Sequence, residues 1–487
     1  MRETATQAIG IDTDLRLVYK AFCGLDFGTT NSSVAISDGD AVRVIELDPL
    51  NDNPMSLPSV LYISRDGERI VGRRAANTFI ERNVDREVIL KEVDLDVEIE
   101  AYVASEPDKS ESYRPRQETE DIREAVRARA TVEVNAPGRL FQSVKSSLRY
   151  TAFKGTAVFG QHFQIEELVA MILRPMREAA ESALGKPIDT VVIGRPVRFS
   201  TENDEDALAE RRLRRAAQIA GFRNPVFFYE PVAACVEYAT IKEHTQRLMV
   251  VDIGGGTCDI CIMEFGGAKG AAARLAESRI LGVAGTPVAG DVLDREIIRA
   301  KLFPCLGSRS RYGPSKLPMP QHIYKSILDW QSLYKLNTEE IVNWLIAAEG
   351  SSTQPEAIRA LRTLIRRNYG YPMVRKVEHA KKLLSEEWEA PIELHAGALQ
   401  VSAHLGRSEF TRIIEHSLED MLDSIEEAEC AAGVKPDDID CVLTTGGTSL
   451  IPAVRHMLTN RYGTDRLRQR DTFTSVATGL AIVAQHV

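Results

Sequence analysis

Two segments far apart in this chain carry nearly the same pattern. Gly24-Leu25-Asp26-Phe27-Gly28-Thr29-Thr30 and Val251-Asp252-Ile253-Gly254-Gly255-Gly256-Thr257 each follow an apolar run, and each leads into alternating residues, Ser33-Val34-Ala35-Ile36 and Asp259-Ile260-Cys261-Ile262. Each reads as a β-hairpin whose turn is built from Gly and Thr, with an aspartate just before the turn. Glycine lets backbone N–H groups approach a phosphate with no Cβ in the way, and threonine hydroxyls add donors. An aspartate would repel that phosphate unless a cation lay between them, so Asp26 and Asp252 each predict a hydrated Mg²⁺. One such turn alone is an ordinary tight loop; two of them, one per half of the molecule, predict a nucleoside triphosphate held between.

The rest of the composition narrows the setting. A chain of 487 residues with 44% hydrophobic and 27% charged residues is long enough for two or more cores. A formal net charge of −10 disfavours nucleic acid or an anionic membrane as the main partner. The opening residues MRETATQAIGIDTDLRLVYK lack the apolar stretch of a secretion signal. With no apolar run of spanning length, a cytoplasmic location is the expectation. Seven scattered cysteines suit a reducing compartment. Cys258 and Cys261 have redox spacing, but on an alternating strand residues three apart point to opposite faces.

Strands and helices alternate along the chain, which predicts α/β layers. Residues 59–72 read as two short strands joined by Asp66-Gly67, and residues 81–135, rich in charge, read as a solvated helical insertion or a mobile loop. Leu168, Ile172, Met176 and Ala180 recur every four residues and predict a helix from Ile165 to Leu184 with a kink at Pro175. Further expectations are a strand at 191–194, a helix at 211–220, a strand at 226–229, and a helix opened by Glu230-Pro231. A long helical stretch is expected over roughly 319–387, and a last apolar strand at 441–444 ends in Gly446-Gly447.

Six motifs in this order, CGLDFGTTNSSVAI, SVLYISRDGERIVGRRA, VVIGRPVRF, FFYEPVAACVEYA, VVDIGGGTCDICIMEF and VLTTGGTSLIP, resemble the ATPase domain of the DnaK-type seventy-kilodalton heat-shock chaperones. The resemblance runs in blocks from Phe22 to Ala484, and its extent is similar to that of the short, YegD-like members. It implies the actin-like ATPase fold, two lobes with duplicated cores around a nucleotide cleft. The implied layout is an N-terminal extension at 1–20, lobe I at 21–247 with a charged insertion at about 81–135, and lobe II at 248–487 with an enlarged helical region at about 307–375. A chain ending at Val487 would carry no peptide clamp of its own.

Carried onto this sequence, the resemblance implies that Asp26 and Asp252 hold the water shell of Mg²⁺. It gives Gly28, Thr29, Thr30, Gly254, Gly255, Gly256 and Thr257 to the phosphates of ATP. Glu230 would be the acidic residue beside the γ-phosphate, and Pro196 the proline of the lobe-coupling switch. Lys145 would be the phosphate-facing lysine; taken alone it reads as a solvated residue beside Val144. Lys145, Glu230, Asp252 and Thr257 are thus the catalytic candidates. Glu378, Lys381 and Ser385 fall at i, i+3 and i+7, which puts three polar groups on one helical face. Without the resemblance that face is an exposed charged one; with it, the trio grips ribose and adenine. Gly290 and Asp291 match the turn that approaches the ribose, with Asp291 where the family usually has glutamate. Gly446 and Gly447 match the pair that closes over the nucleotide.

Departures are Leu450, where the family carries an arginine stacked on adenine, and Phe473-Thr474-Ser475-Val476 in place of an acidic pair. The expected activity is Mg²⁺-dependent ATP hydrolysis that opens and closes the lobes against a partner, with ATP and ADP as ligands and an unfolded or specific protein client, or a co-chaperone, as partner in trans. A non-hydrolysing nucleotide-gated module, a small-molecule kinase of the same fold and a filament-forming ATPase are the competing readings. If Leu450 packs on adenine, Leu450→Arg should tighten ATP binding by roughly 0.5–2 kcal/mol through a cation–π contact. Calorimetric titration of both forms checks it, and an unchanged or weaker affinity rejects the contact.

Overall fold

The computed structural model describes residues 21–38, 41–102, 123–188, 190–200, 202–239, 246–266, 277–469 and 474–486. The extension at 1–20, residues 103–122 and Phe473 lie outside these.

The first hairpin pairs Phe22–Phe27 with Asn31–Ser37 in antiparallel register, Asp26 opposite Ser33. Asn31–Ser37 then pairs with Val42–Val44, while on its other side Phe22–Phe27 lies parallel to Thr190–Arg195, and that strand parallel to Pro225–Tyr229. The second hairpin repeats the plan. Gln246–Ile253 pairs antiparallel with Cys258–Phe265, Asp252 opposite Asp259, and Cys258–Phe265 with Arg279–Thr286. On the far side Gln246–Ile253 runs parallel to Cys441–Thr445, which runs parallel to Leu467–Gln469. Two sheets therefore share one strand order and one set of strand senses. The added parallel strands, Val191-Val192-Ile193 and Cys441-Val442-Leu443, are continuous apolar runs because helices cover both of their faces.

Helices Glu230–Ala239 and Ser475–Ala484 share a core with both sheets, in which Phe22, Val192, Val232, Cys235, Val250, Cys261, Leu443 and Leu480 are buried together. Glycine makes the approach possible. A Cβ on Gly24 would sit 2.2 Å from the Ala481 nitrogen, and one on Gly479 would sit 1.8 Å from the Ala233 carbonyl oxygen. Cys258 and Cys261 are buried in different cores, as strand alternation requires.

Elsewhere the sequence expectations need correction. Most of the described insertion is strand, against the expected helix or loop: after the helix Gly72–Asn83, strands Leu90–Tyr102 and Arg123–Glu133 form an antiparallel ribbon. The run VDLDVEIEAYV alternates apolar and polar residues with a period of two, a strand signature masked by its charge. The stretch 319–387 is several short helices, at Gln321–Ile327, Glu339–Ser351, Pro355–Arg366 and Gly370–Leu383, with a 3₁₀ segment at Trp330–Leu336. Local stop and start signals divide it, among them Thr338, whose hydroxyl accepts from the Ile341 N–H, and Pro355 in a first helical turn. Hairpin Glu389–Ala396 with Leu399–Gly406 was not anticipated, and helix Asn203–Ala220 begins well before Arg211. Helix Ile165–Leu184 runs on through Pro175.

Gly24→Val and Gly479→Val should each cost about 1–3 kcal/mol or more, since backbone atoms fill the space a side chain would need. Gly350→Ala, in open space on a helix, should instead stabilise by up to about 1 kcal/mol. Urea unfolding midpoints of the three variants check both signs.

Candidate functional site

The two glycine-threonine turns meet. A Cβ on Gly255 would fall 2.0 Å from Thr30 Oγ1, and one on Gly256 3.1 Å from Thr29 Cγ2, so each turn needs its glycines to face the other. Gly28 closes its own turn, where a Cβ would lie 2.1 Å from the Asn31 carbonyl oxygen. Around this meeting point is a cavity of about 470 Å³, the size of an ordinary ligand pocket. Asp26, Gly28, Thr29, Thr30, Lys145, Glu230, Asp252, Gly254, Gly255, Gly256, Thr257, Gly290, Asp291, Glu378, Lys381, Ser385, Gly446, Gly447 and Leu450 all line it. Pro196 does not; it follows strand Thr190–Arg195, where Arg195 is tied to Asp206 and Glu210.

At one end of the cavity, Ser143 adopts a left-handed conformation that turns strand Gly138–Gln142 into the short helix Val144–Ser147. That turn carries Lys145 into the interior, where its Nζ donates to Glu230 Oε1 at 2.7 Å, both residues buried. Glu230 opens its helix and packs on Gly194, whose missing side chain leaves room for it. Asp26, Asp252 and Asp259 stand around the pair. Burial, with Glu230 nearby, pushes the Asp26 carboxyl up to about 7 against the pull of Lys145. Burial also lifts Asp259 to about 7, although the Thr257 hydroxyl donates to it at 2.7 Å. Asp252 is pushed well above the usual carboxylate range by burial and then by Glu230, Asp259 and Asp26. Burial works against the Lys145 ammonium, yet Glu230, Asp26 and Asp259 hold its pKa above the ordinary value.

Four carboxylates therefore share one lysine in a desolvated site, a charge deficit that a cation relieves. Among the described residues no three His, Cys, Asp or Glu side chains cluster closely enough to ligate a metal directly. The excess of carboxylates over cations fits a hydrated divalent ion, which Asp26 and Asp252 on the two turns would hold through its waters. Thr30 Oγ1, Ser56 Oγ and Gln142 Oε1 are buried on the cavity wall without a hydrogen-bond partner, which suits polar atoms awaiting a phosphate or water. The hydroxyl of Thr257, expected to meet phosphate, is instead committed to Asp259.

The other end is assembled on the second turn. The N–H groups of Gly290 and Asp291 donate to the carbonyls of Gly254 and Gly255, at 3.2 and 2.7 Å, and Thr448 Oγ1 donates to the Gly254 carbonyl at 2.7 Å. Lys381, placed by helix Gly370–Leu383, donates to the Gly290 carbonyl at 2.9 Å and to Asp294 Oδ2 at 2.8 Å. It is buried rather than part of an exposed charged face. Glu378 bonds Arg375 at 2.6 Å and Lys382 at 3.0 Å; burial opposes its charge, but Arg375, Lys382 and Lys381 bring it down to about 2. Gly446 has φ of +78° and lies against the Ile253 carbonyl, while Val374, Leu450 and Ile451 supply apolar wall.

Sequence reasoning missed Asp259, Asp294, Lys382, Thr448 and the Asn51-Asp52-Asn53 loop, all on the same cavity, and Arg375 behind Glu378. Asp259 stands two residues beyond Thr257, and Asp294 and Arg375 are three from Asp291 and Glu378, so local spacing did hold a signal for these.

The family model described as Hsp70 protein matches residues 132–276 and 366–486. The chaperone protein DnaK of Thermus thermophilus is 27% identical over 469 residues, covering 95% of this chain and 60% of that protein. DnaK 1 of a Synechococcus strain is 26% identical over 462 residues, covering 95% and 49%, and dnaK1 of a Nostoc strain is 25% identical over 468 residues, covering 95% and 54%. The chain spans about half to three fifths of the length of these relatives.

The carboxylate shifts predict a pH dependence for the ligand-free protein. Asp26 and Asp259 keep protons in the fold up to about pH 7, whereas the unfolded chain releases them near the ordinary value of 3.8. The folded state thus binds more protons in this window, and stability should fall as pH rises from about 4 to about 7, by a few kcal/mol in order of magnitude. Asp26→Asn and Asp259→Asn should each flatten the slope of unfolding free energy against pH. A slope in both variants unchanged from that of the parent would show that these groups do not carry it.

Proposed function

The chain belongs to the Hsp70 family, and from that premise we propose that it binds ATP with Mg²⁺ between two lobes and hydrolyses it, acting as a DnaK-like chaperone with a partner in trans. Carrying the reading is the meeting of two glycine-threonine turns over a buried Lys145–Glu230 pair flanked by Asp26, Asp252 and Asp259. Each sheet supplies one turn, which supports a cleft whose two walls close on one ligand.

When bound, Mg²⁺ would screen phosphate charge, with Asp26 and Asp252 holding its water shell. The protein's own groups do the rest. Backbone N–H groups of Gly28 to Thr30 and of Gly255 to Thr257 would suit the β- and γ-phosphates, while the Gly254 N–H closes its own turn on the Thr257 carbonyl. Lys145 uses one of its three hydrogens on Glu230, which leaves others for the γ-phosphoryl oxygens as charge develops there. Glu230 can accept from the attacking water and orient it in line with the γ-phosphorus. At the other end Ser385, Glu378, Lys382 and Leu450 would meet the sugar and base, while Lys381 braces the Gly290 turn. Client and co-chaperone would be reached by a change in lobe closure between ATP and ADP. Among the described residues no helix is long and apolar enough to cross a membrane.

The test is single-turnover hydrolysis. Lys145→Ala should bind ATP yet slow hydrolysis by on the order of 10²–10³, the loss typical for one preorganised donor. Chelating Mg²⁺ should weaken ATP binding sharply in the parent. Rates within about twofold for Lys145→Ala, or equal affinity after chelation, would reject this mechanism.

A further inference from the structure

Strand Val60–Ser64 lies between Arg69–Val71 and Gly138–Gln142 in a separate three-stranded antiparallel sheet. Ile63 is registered opposite both Arg69 and Arg139, and the ladder continues through the Arg65 N–H, which donates to the Pro137 carbonyl at 2.7 Å. Arg65 therefore follows Ile63 on the same face. With about 4.8 Å between strands and about 3.4 Å per residue, three arginines leave one face within roughly 10 Å. Each meets a phenylalanine: Arg65 over Phe159 at 4.5 Å, Arg69 over Phe163 at 5.7 Å and Arg139 over Phe141 at 5.2 Å from the ring centre. Phe159 and Phe163 belong to the hairpin of Gly155–Val158 with Gln161–Gln164, whose Val158 and Phe163 share a core with Leu61 and Ile63. Phe159 turns that hairpin at φ +49°, a conformation rare for a bulky residue, and Gly160 follows at +82°.

The guanidinium groups are held without being neutralised. Arg65 donates to the carbonyls of Ala136 and Val134, at 2.9 and 2.7 Å, and Arg139 to Thr156 Oγ1 and the Ala157 carbonyl, at 3.1 and 2.9 Å. These acceptors are uncharged, and a guanidinium has five hydrogens, so donors remain for an outside anion. The neighbouring carboxylates are engaged elsewhere: Glu68 with Arg82 at 3.2 Å, Glu133 with Arg86, Asp66 with the Ser64 hydroxyl, and Glu167 with the Gln164 N–H at 2.8 Å. All three arginines reach solvent. Packing around Arg139 nonetheless lowers its pKa, and no carboxylate offsets the effect.

On a chain of formal net charge −10, this face is a local reversal of sign. We propose that it docks an acidic segment of a partner protein, an extended run whose alternate carboxylates meet Arg65, Arg69 and Arg139. Alternate residues of an extended chain are about 6.8 Å apart on one side, a spacing close to that of the three stems. A single phosphate would call for arginines converging on one point, and a nucleic acid would meet the negative charge of the remaining surface. The stacked rings orient each guanidinium before the segment arrives, which reduces the ordering that binding requires. None of the three arginines lines the nucleotide cavity.

Fluorescence anisotropy of a labelled peptide of alternating glutamate and serine, titrated with the full chain, tests the docking. The peptide should bind, its glutamine counterpart should not, and raising salt from about 50 to about 200 mM should weaken binding severalfold. Arg69→Gln and Arg139→Gln should each weaken it by about tenfold, as the loss of a charge-assisted hydrogen bond implies. Arg69→Lys should lose less, Arg412→Gln on another helix should change nothing, and thermal midpoints near the parent's show that the variants fold. The docking is overturned by absence of binding at about 1 mM chain, by equal binding of the glutamine peptide, or by unchanged affinity in a folded Arg69→Gln, Arg139→Gln double variant. Tighter binding of a single-stranded oligonucleotide through the same arginines, or self-association of the chain that the double variant abolishes, overturns the acidic partner as the occupant.

Discussion

Desolvated negative charge around Lys145 is the constraint to which the rest of the structure answers. One ammonium faces Glu230, Asp26, Asp252 and Asp259, and burial raises the pKa of the three aspartates so that they hold protons to higher pH. The duplicated hairpins create this problem. Each brings an aspartate to its turn, and in the second hairpin Asp252 is registered directly opposite Asp259, a like-charge pairing that a sheet would otherwise avoid. Local rules broken at one place, and obeyed around it, mark a binding site. A ligand of mixed charge, cation with phosphate, removes the conflict, whereas a neutral ligand would leave it standing.

Much of this was legible from local pattern. Turn glycines, the acid before each turn and the apolar runs beside them are period-two and steric signals contained in a few residues, and they yield the two hairpins and the turns that meet at the cavity directly. The partnerships are another matter. Lys145 and Glu230 are separated by strands Thr190–Arg195 and Pro225–Tyr229 in the chain, and Lys381 reaches back to Asp294 on another helix. Nothing in the spacing of either residue chooses its partner; tertiary packing does. Charge also misled. In the run from Leu90 to Tyr102 the acidic residues drew attention from the alternation between them, and over 319–387 continuous helical composition hid the Thr338, Pro355 and Gly370 boundaries that divide it.

Glycine has two separate tasks here. At Gly28 its lack of a side chain lets the first turn close, and at Gly255 and Gly256 it lets the two turns meet. At Gly24 and Gly479 it lets backbones touch, so that helix Ser475–Ala484 presses on strand Phe22–Phe27 and on helix Glu230–Ala239. The first task was readable from the motif; the second was not, because only the packed helix shows what would collide.

These contacts form a continuous mechanical chain. Val476, at the start of helix Ser475–Ala484, lines the cavity, and Leu480 one turn later lies against Gly194, where a Cβ would be 3.2 Å away. Gly194 in turn bears on the Glu230 side chain, at 2.8 Å from its Cγ by the same measure, and Glu230 holds Lys145. Close-packed neighbours without side-chain slack transmit small displacements rather than absorb them. Gly194 and Glu230 thus link Lys145 by direct contact to the helix that packs on both sheets.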